Sequence, residues 1–256
     1  HEQGATHMAD GYARSSGKVG VALATSGPGA ANMVTGLATA MMDSVPIVCI
    51  TGQVPRPAIG SDAFQEMDIS GAVIPITKHS YLVMDIKDLA KTIKEAFVIA
   101  RSGRPGPVLI DIPKDLQAEE FDFVYPREPI MLPGDNPIKN DIDVKSLEEA
   151  AKLIANAERP VILAGHGILL SGASKEVIEL SEKGYIHLSW TLLGSGAVPA
   201  SHDLNMVMMC MHGEFAANNA IQKADLLIAC GMRFDDRVTG NTKTYSLNSK
   251  KIHIEI

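Results

Sequence analysis

The chain has 256 residues, 46% of them hydrophobic, enough to bury the core of one large or two ordinary domains. Its formal net charge is −7 and its lysines and arginines form no basic stripe, which argues against a nucleic-acid partner. The longest apolar stretches, "VPIVCIT" and "DLLIACG", are strand-length and far short of the ~20 residues of a membrane span. No charged segment precedes an apolar one in the manner of a signal peptide. Three cysteines (Cys49, Cys210 and Cys230) with no CxxC spacing read as reduced thiols of an intracellular protein rather than a disulfide framework. The eight histidines never fall at ligand spacing on one helix face, so no zinc site is expected.

In chain order, "HEQGATHMADGYAR" opens the sequence with Glu2 between His1 and Gln3. On position alone this is a solvated terminal acid. Val19 to Thr25 reads as a strand broken by Gly27-Pro28-Gly29, "AANMVTGLATAMM" as a small-residue helix, and Pro46 to Thr51 as the next strand. Leu89, Ile93, Phe97 and Ala100 recur at helical spacing. "PVLIDIP" follows as a strand. From Glu119 to Asp143 four prolines and many charges replace the periodicity, which marks a linker. A second alternating block follows, with a helix through Leu147, Ala150, Ala151 and Ile154 and the strand "PVILAG". A helix from Ala173 to Lys183, the strand "YIHLSW", a helix from Gly213 to Ala224 and the strands "DLLIACG" and "KIHIEI" complete it. Near-continuous apolar strands alternating with helices predict two α/β, doubly wound parallel-sheet domains. The boundaries expected are 1–125, a linker at 126–144, and 145–256.

Several stretches carry candidate chemistry. Gly165-His166-Gly167 lies where a Rossmann-like turn presents backbone N–H groups to a phosphate. Leu170 stands in place of a third glycine and no acid caps the next strand, which argues against NAD. A tight strand-to-helix turn or a nucleotide such as FAD in another pose both remain open. "GMRFDDRVTG" (Gly231 to Gly240) follows an apolar strand, and its arginines suit phosphate or a flavin edge. "TSGPGAAN" fits an anion nest or a packing turn equally well. "GSDAFQE" reads as an irregular surface stretch of the kind that often carries function. The cluster Met206, Met208, Met209 and Met211 reads as core or cofactor packing.

Taken together, "HEQGATHMADGYARSSGKVGV", "TSGPGAAN", "DSVPIVCITGQVP", "IGSDAFQE", "TKHSYLV", "SGRPGPVLIDIPKD", "MHG" and "GMRFDDRVTG", in this order, resemble the large, catalytic subunits of acetolactate synthase (acetohydroxyacid synthase). These are thiamine-diphosphate-dependent transferases of branched-chain amino-acid biosynthesis. The resemblance covers essentially the whole chain. It implies a partial pyrimidine-binding domain and a partial central FAD-binding domain of a longer protein, cytoplasmic or, after a transit peptide, plastid. The family's diphosphate and Mg²⁺ signature would lie in a further C-terminal domain, since Gly134-Asp135 followed by Asn136 does not match it. This piece alone is then expected to be inactive.

The resemblance further implies decarboxylation of pyruvate on thiamine diphosphate and transfer of the hydroxyethyl unit to a second 2-keto acid, pyruvate or 2-ketobutyrate. Glu2 takes the position of the glutamate that exchanges a proton with the pyrimidine ring. Phe64 and Gln65 would line the substrate and thiamine region, with Pro55 and Lys114 at the channel mouth. FAD, not a redox participant in the net reaction, would contact Ser44, Arg104, Gly165, His166, Gly167, Thr191, Leu192, Met211, His212, Gly231, Arg233, Asp235 and Arg237, with Glu255 and Ile256 approaching the nucleotide. His166 replaces a frequent glycine, Cys210 a common glycine, and Val198 a frequent Phe. The family implies a homodimer or tetramer and a regulatory small subunit as partners. The alternatives are an FAD-dependent pyruvate oxidase-like enzyme and a non-catalytic nucleotide-binding module.

Overall fold

The computed structural model describes residues 1–131 and 143–255. The chain forms two compact units, His1–Pro137 and Ile138–Ile256. Each contains one parallel sheet.

In the first unit, β1 (Gly20–Ala24), β2 (Ile47–Gln53), β3 (His79–Leu82) and β4 (Val108–Pro113) pair in the order β1-β2-β4-β3. All pairings are parallel, with Val48 opposite Val108 and Gln53 opposite Pro113. The helices are α1 (Glu2–Ser16), α2 (Pro28–Asn32), α3 (Val34–Asp43), α4 (Ile69–Ala72), α5 (Ile86–Arg101) and α6 (Lys114–Gln117). Alternation along β2 sends Ile47 and Cys49 to one face, where Met33, Leu37 and Ala9 cover them. Val48 goes to the other face, under Ala96 and Ala100 of α5. A sheet buried on both faces explains the near-continuous apolar strands.

In the second unit, β5 (Pro160–Ala164), β6 (His187–Trp190), β7 (Asn205–Met208), β8 (Leu226–Cys230) and β9 (Lys250–Ile254) pair in the order β7-β6-β5-β8-β9, again all parallel. Helices α7 (Val144–Ala155), α8 (His166–Ser171), α9 (Ser174–Gly184), α10 (Phe215–Lys223) and α11 (Asp236–Thr239) accompany it. Ile162 and Ala164 face Val177 and Ile186, while Val161 and Leu163 face Ala217 and Ile221. The chain runs outward from β5 to β7 and then returns to place β8 on the other side of β5. The strand order therefore reverses between β5 and β8.

The expected fold class is found, with local differences. The small-residue helix after β1 is two helices, broken at Met33. The opening segment is a 15-residue helix that apolar periodicity did not mark. Its buried face is Thr6, Ala9, Asp10 and Ala13, small enough to lie directly on β1. A Cβ on Gly20 would stand 2.1 Å from the Ala9 carbonyl oxygen, so only glycine permits this approach. Arg14 fastens the helix by donating to Asp10 (2.6 Å) and, across to the end of α3, to Asp43 (2.7 Å). Strands β3 and β7 were also unmarked. Cys49 and Cys230 are buried free thiols, pushed up to about 12 and about 11 by desolvation. Among the described residues no helix is long and apolar enough to cross a membrane.

Of the two buried acids among the described residues, Asp10 is paired with Arg14 and Asp111 has no ion pair. Asp111, on β4 and 1% exposed, is pushed up to about 6 by burial, against the opposing hydrogen bonds from Thr51 and Gln53 and with added repulsion from Asp68. The folded chain therefore binds this proton up to about pH 6, whereas the unfolded chain releases it near 3.8. Between those values the folded state holds more protons, so stability falls as pH rises through the window. At 1.36 kcal/mol per unit the loss is about 3 kcal/mol. Urea unfolding of the first unit at pH 4.5 and 7 checks this. Asp111→Asn should flatten the contribution, and an unchanged pH slope in that variant would contradict it.

Candidate functional sites at the carboxyl edges of the two sheets

Parallel α/β sheets bind ligands beyond the carboxyl ends of their strands. In the first unit this edge gathers Glu2, Phe64, Gln65, Pro55 and Lys114. Glu2 is the first residue of α1, whose N-cap is His1, with its ring Nδ1 accepting from the Gln3 N–H (3.2 Å). Asn32, at the end of α2, donates its side-chain amide to Glu2 Oε2 (3.0 Å). The other oxygen, Oε1, lies 3.3 Å from where a Cβ on Gly29 would stand. The absence of that Cβ leaves Oε1 open. The helix-start backbone N–H first, and Asn32 second, hold the Glu2 carboxyl below the usual carboxylate range. In this chain Glu2 is thus an ionised acceptor at neutral pH rather than a half-protonated acid.

The stretch "GSDAFQE" closes on itself. Glu66 accepts from the Gly60 N–H and, at 2.9 Å, from the Ala63 N–H, which lowers its pKa. Phe64 stands 90% exposed at the tip. Gln65 has φ 61, the left-handed region that non-glycine residues seldom adopt. Its backbone lies against Gly27, where a Cβ would meet the Gln65 carbonyl oxygen at 2.6 Å. So the "TSGPG" turn touches Glu2 on one side and the Gln65 loop on the other. Its glycines serve packing between these elements.

Pro55 follows β2, and Lys114, exposed, opens α6 directly after β4. Between them sits Arg56, which sequence reasoning passed over. Its backbone N–H and Nε donate to the two oxygens of Asp115 (2.9 and 2.7 Å), and its other nitrogens to Glu119 (2.8 Å) and the Met84 carbonyl (3.0 Å). The Arg56 backbone N–H, then its guanidinium, hold Asp115 below the usual range. Asn32 was also passed over. The available signal was a polar side chain closing an otherwise small, apolar turn.

Ser44 and Arg104 stand elsewhere in this unit. They precede β2 and β4, so they lie at the amino edge of the sheet. Arg104 Nε donates to Ser44 Oγ (2.6 Å), and another guanidinium nitrogen donates to the Met42 carbonyl (3.1 Å). Ser44 has φ 61.

In the second unit the turns after β5, β6, β7 and β8 bring Gly165 to Gly167, Thr191 with Leu192, Met211 with His212, and Gly231 to Arg237 to one edge. The turns after β5 and β8 flank the point where strand order reverses. Here Gly165 and Gly167 donate their N–H groups to the Cys230 and Gly231 carbonyls (2.9 and 2.8 Å). A Cβ on Gly167 would meet the Gly231 Cα at 2.6 Å. These glycines join the ends of β5 and β8, so they offer a ligand close approach rather than free donors. Thr191 accepts from Gly194 N–H, leaving Leu192 exposed. Asp235 caps α11 by accepting from the Arg237 and Val238 N–H groups (3.0 and 3.1 Å). Arg233 is 3.5 Å from Asp235 and Arg237 is 3.8 Å from Asp236. Both guanidiniums are exposed and loosely paired, and Arg237 also touches the Met211 sulfur (3.7 Å). This donor set fits an anionic dinucleotide through its arginines. Glu255 follows β9, while Ile256 and the Gly134–Asn136 stretch lie outside the described residues.

Two doubly wound units with polar groups converging at their carboxyl edges define a cofactor-binding α/β protein. Two family models match the sequence: the N-terminal TPP binding domain of thiamine pyrophosphate enzymes over residues 1–72, and their central domain over residues 147–256. The chain belongs to the thiamine pyrophosphate enzymes. Along its whole length it is 51% identical to an acetolactate synthase of Arthrospira platensis, of which it covers 45%. It is 50% identical to a probable acetolactate synthase large subunit of Methanocaldococcus jannaschii (44% covered) and 49% identical to an acetolactate synthase large subunit of Corynebacterium glutamicum (41% covered). The chain spans less than half the length of these curated relatives.

The Glu2–Asn32 pair gives a direct test. Asn32→Ala removes a donor that favours the carboxylate, so the Glu2 titration followed by carboxyl carbon NMR should move to higher pH. An unmoved titration would mean that the pair does not form in solution.

Proposed function

We propose that this chain is the pyrimidine-side and flavin-side part of an acetolactate synthase. Its full protein joins a two-carbon unit from pyruvate to a second 2-keto acid, pyruvate or 2-ketobutyrate. The observation that carries the reading is the Glu2 carboxylate: fixed by Asn32, with one oxygen open beside Gly29, and bordered by the turn that touches the Gln65 loop. The half-identical relatives named acetolactate synthase support it.

Thiamine diphosphate, when bound, supplies the electron sink for decarboxylation and carbon–carbon bond formation. The chain's own residues do the rest. Glu2 would hold the pyrimidine ring, with Oε1 the carboxylate oxygen placed to accept from a ring nitrogen and exchange its proton. Binding in a drier site raises Glu2 from its lowered starting point toward the range where that exchange is effective. Phe64 and Gln65 border the substrate and keep water away, and Lys114 offers a cation to the 2-keto acid's carboxylate at the mouth beside Pro55. Arg233 and Arg237 would hold the phosphates of FAD in the second unit. Among the described residues no group of three His, Cys, Asp or Glu side chains could hold a metal.

The test is acetolactate formation from pyruvate by the full-length protein, with oxygen uptake measured in parallel. The expected result is acetolactate without oxygen uptake, and Glu2→Gln is expected to lower turnover by about 10²-fold or more. Oxygen-dependent conversion of pyruvate to an acetyl product would favour a pyruvate oxidase-like enzyme. Full activity of Glu2→Gln would remove Glu2 from the chemistry.

A further inference from the structure

Asp111 is the buried acid for which the proposed chemistry has no use. Its two oxygens accept from Thr51 Oγ1 (2.7 Å) and Gln53 Nε2 (2.8 Å), both on the neighbouring strand β2. Gln53 is itself buried and fully engaged. The same Nε2 donates to the Met67 carbonyl (2.7 Å), and its Oε1 accepts from the Val54 N–H (2.9 Å). Met67 directly follows the loop that carries Phe64 and Gln65, and the Glu66 side chain closes that loop. A chain of hydrogen bonds therefore runs from the centre of β4, through β2, to the foot of the loop.

Nothing in stability calls for a carboxyl here. The charged group facing it is Asp68, the N-cap of α4, which repels it. Its neighbours on β2 are the neutral Thr51 and Gln53, its register partner on β3 is Leu82, and no ion pair involving it forms among the described residues. Apolar residues of similar volume at such positions are often as stable or more so. What the acid supplies is a second acceptor. Thr51 and Gln53 are placed as two donors, and the two carboxylate oxygens receive one each. Gln53 is thereby held with its amide turned so that Nε2 faces Met67 and Oε1 faces Val54.

We propose that Asp111, acting through Gln53 and the Met67 carbonyl, is the positioning residue that fixes the Gly60–Glu66 loop and so sets where Phe64 and Gln65 stand at the carboxyl edge of the first sheet. The latch stands on geometry alone. Only its consequence for turnover rests on the acetolactate synthase reading.

The test is amide hydrogen exchange of this chain, read by mass spectrometry for residues 60–67 and, as an internal reference, for β2 residues 48–51. Asp111→Asn replaces one of the two acceptor oxygens by a donor nitrogen, so the Thr51 and Gln53 contacts cannot both stay as they are. Exchange over 60–67 is expected to quicken about tenfold, the protection of roughly one hydrogen bond, with 48–51 little changed. Exchange unchanged over 60–67, or raised equally across the whole unit, would overturn the latch. If the variant does not fold, the unsubstituted chain serves. Protection of 60–67, corrected for intrinsic rates, should fall as pH drops through the titration of Asp111, and a flat profile would overturn the latch equally. In the full-length protein, Asp111→Asn should raise KM for the 2-keto acid more than it lowers kcat, with flavin content unchanged. Faster loop exchange with unaltered kinetics would uphold the latch while removing the loop from catalysis, so the two ideas fail separately.

Discussion

The first unit depends on how closely α1 lies against β1. A helix that follows no apolar stripe can dock only if its buried face is nearly flat. Thr6, Ala9 and Ala13 supply that face, and Gly20 removes the one atom that would hold β1 away from the Ala9 carbonyl. Arg14 then bridges Asp10 and Asp43, fixing the helix along its axis as well as its distance from the sheet. The consequence falls at the other end of α1. Glu2 is brought to the carboxyl edge of the sheet, within reach of Asn32 and opposite Gly29.

From that placement the electrostatics follow. A carboxylate at a helix start, with a side-chain amide on one oxygen, favours its charged form. A site built this way presents a charged acceptor at the carboxyl edge of the sheet. The second unit uses different means at the same topological position. The N–H groups of Gly165 and Gly167 are spent on the Cys230 and Gly231 carbonyls, which brings the two strand ends together, and charge is supplied by arginines on the short helix and loop after β8. The donors free at this edge of the second unit are therefore side-chain guanidiniums, and the strand-to-helix turn supplies room.

Much of the architecture was legible because fully buried parallel strands write themselves as apolar runs. "PIVCIT", "PVLIDIP", "PVILA" and "DLLIAC" all became strands. What escaped was local structure with another physical signature. Helix α1 packs through small residues, so it has no apolar period to detect, and β3, at a sheet edge, has no continuous apolar core. The site was legible in part. Glu2, Gln65 and Lys114 sit in recognisable motifs, but their partners do not. Asn32 lies 30 residues from Glu2, and Thr51 and Gln53 lie about 60 residues from Asp111. The only local hint was a polar side chain inside an otherwise apolar strand, which becomes meaningful once β2 and β4 are neighbours. Ser44 and Arg104 show the reverse case. They pair with each other at the amino edge, away from the Glu2 group.

The proposed function turns on the Glu2 Oε1 oxygen meeting the cofactor ring. The most direct test is a crystal structure of the full-length protein with thiamine diphosphate bound. The prediction is a Glu2 oxygen within hydrogen-bond reach, about 2.6–3.2 Å, of a pyrimidine ring nitrogen, with Asn32 still on the other oxygen. A bound ring contacted by a different acid, with Glu2 turned to solvent, would contradict it.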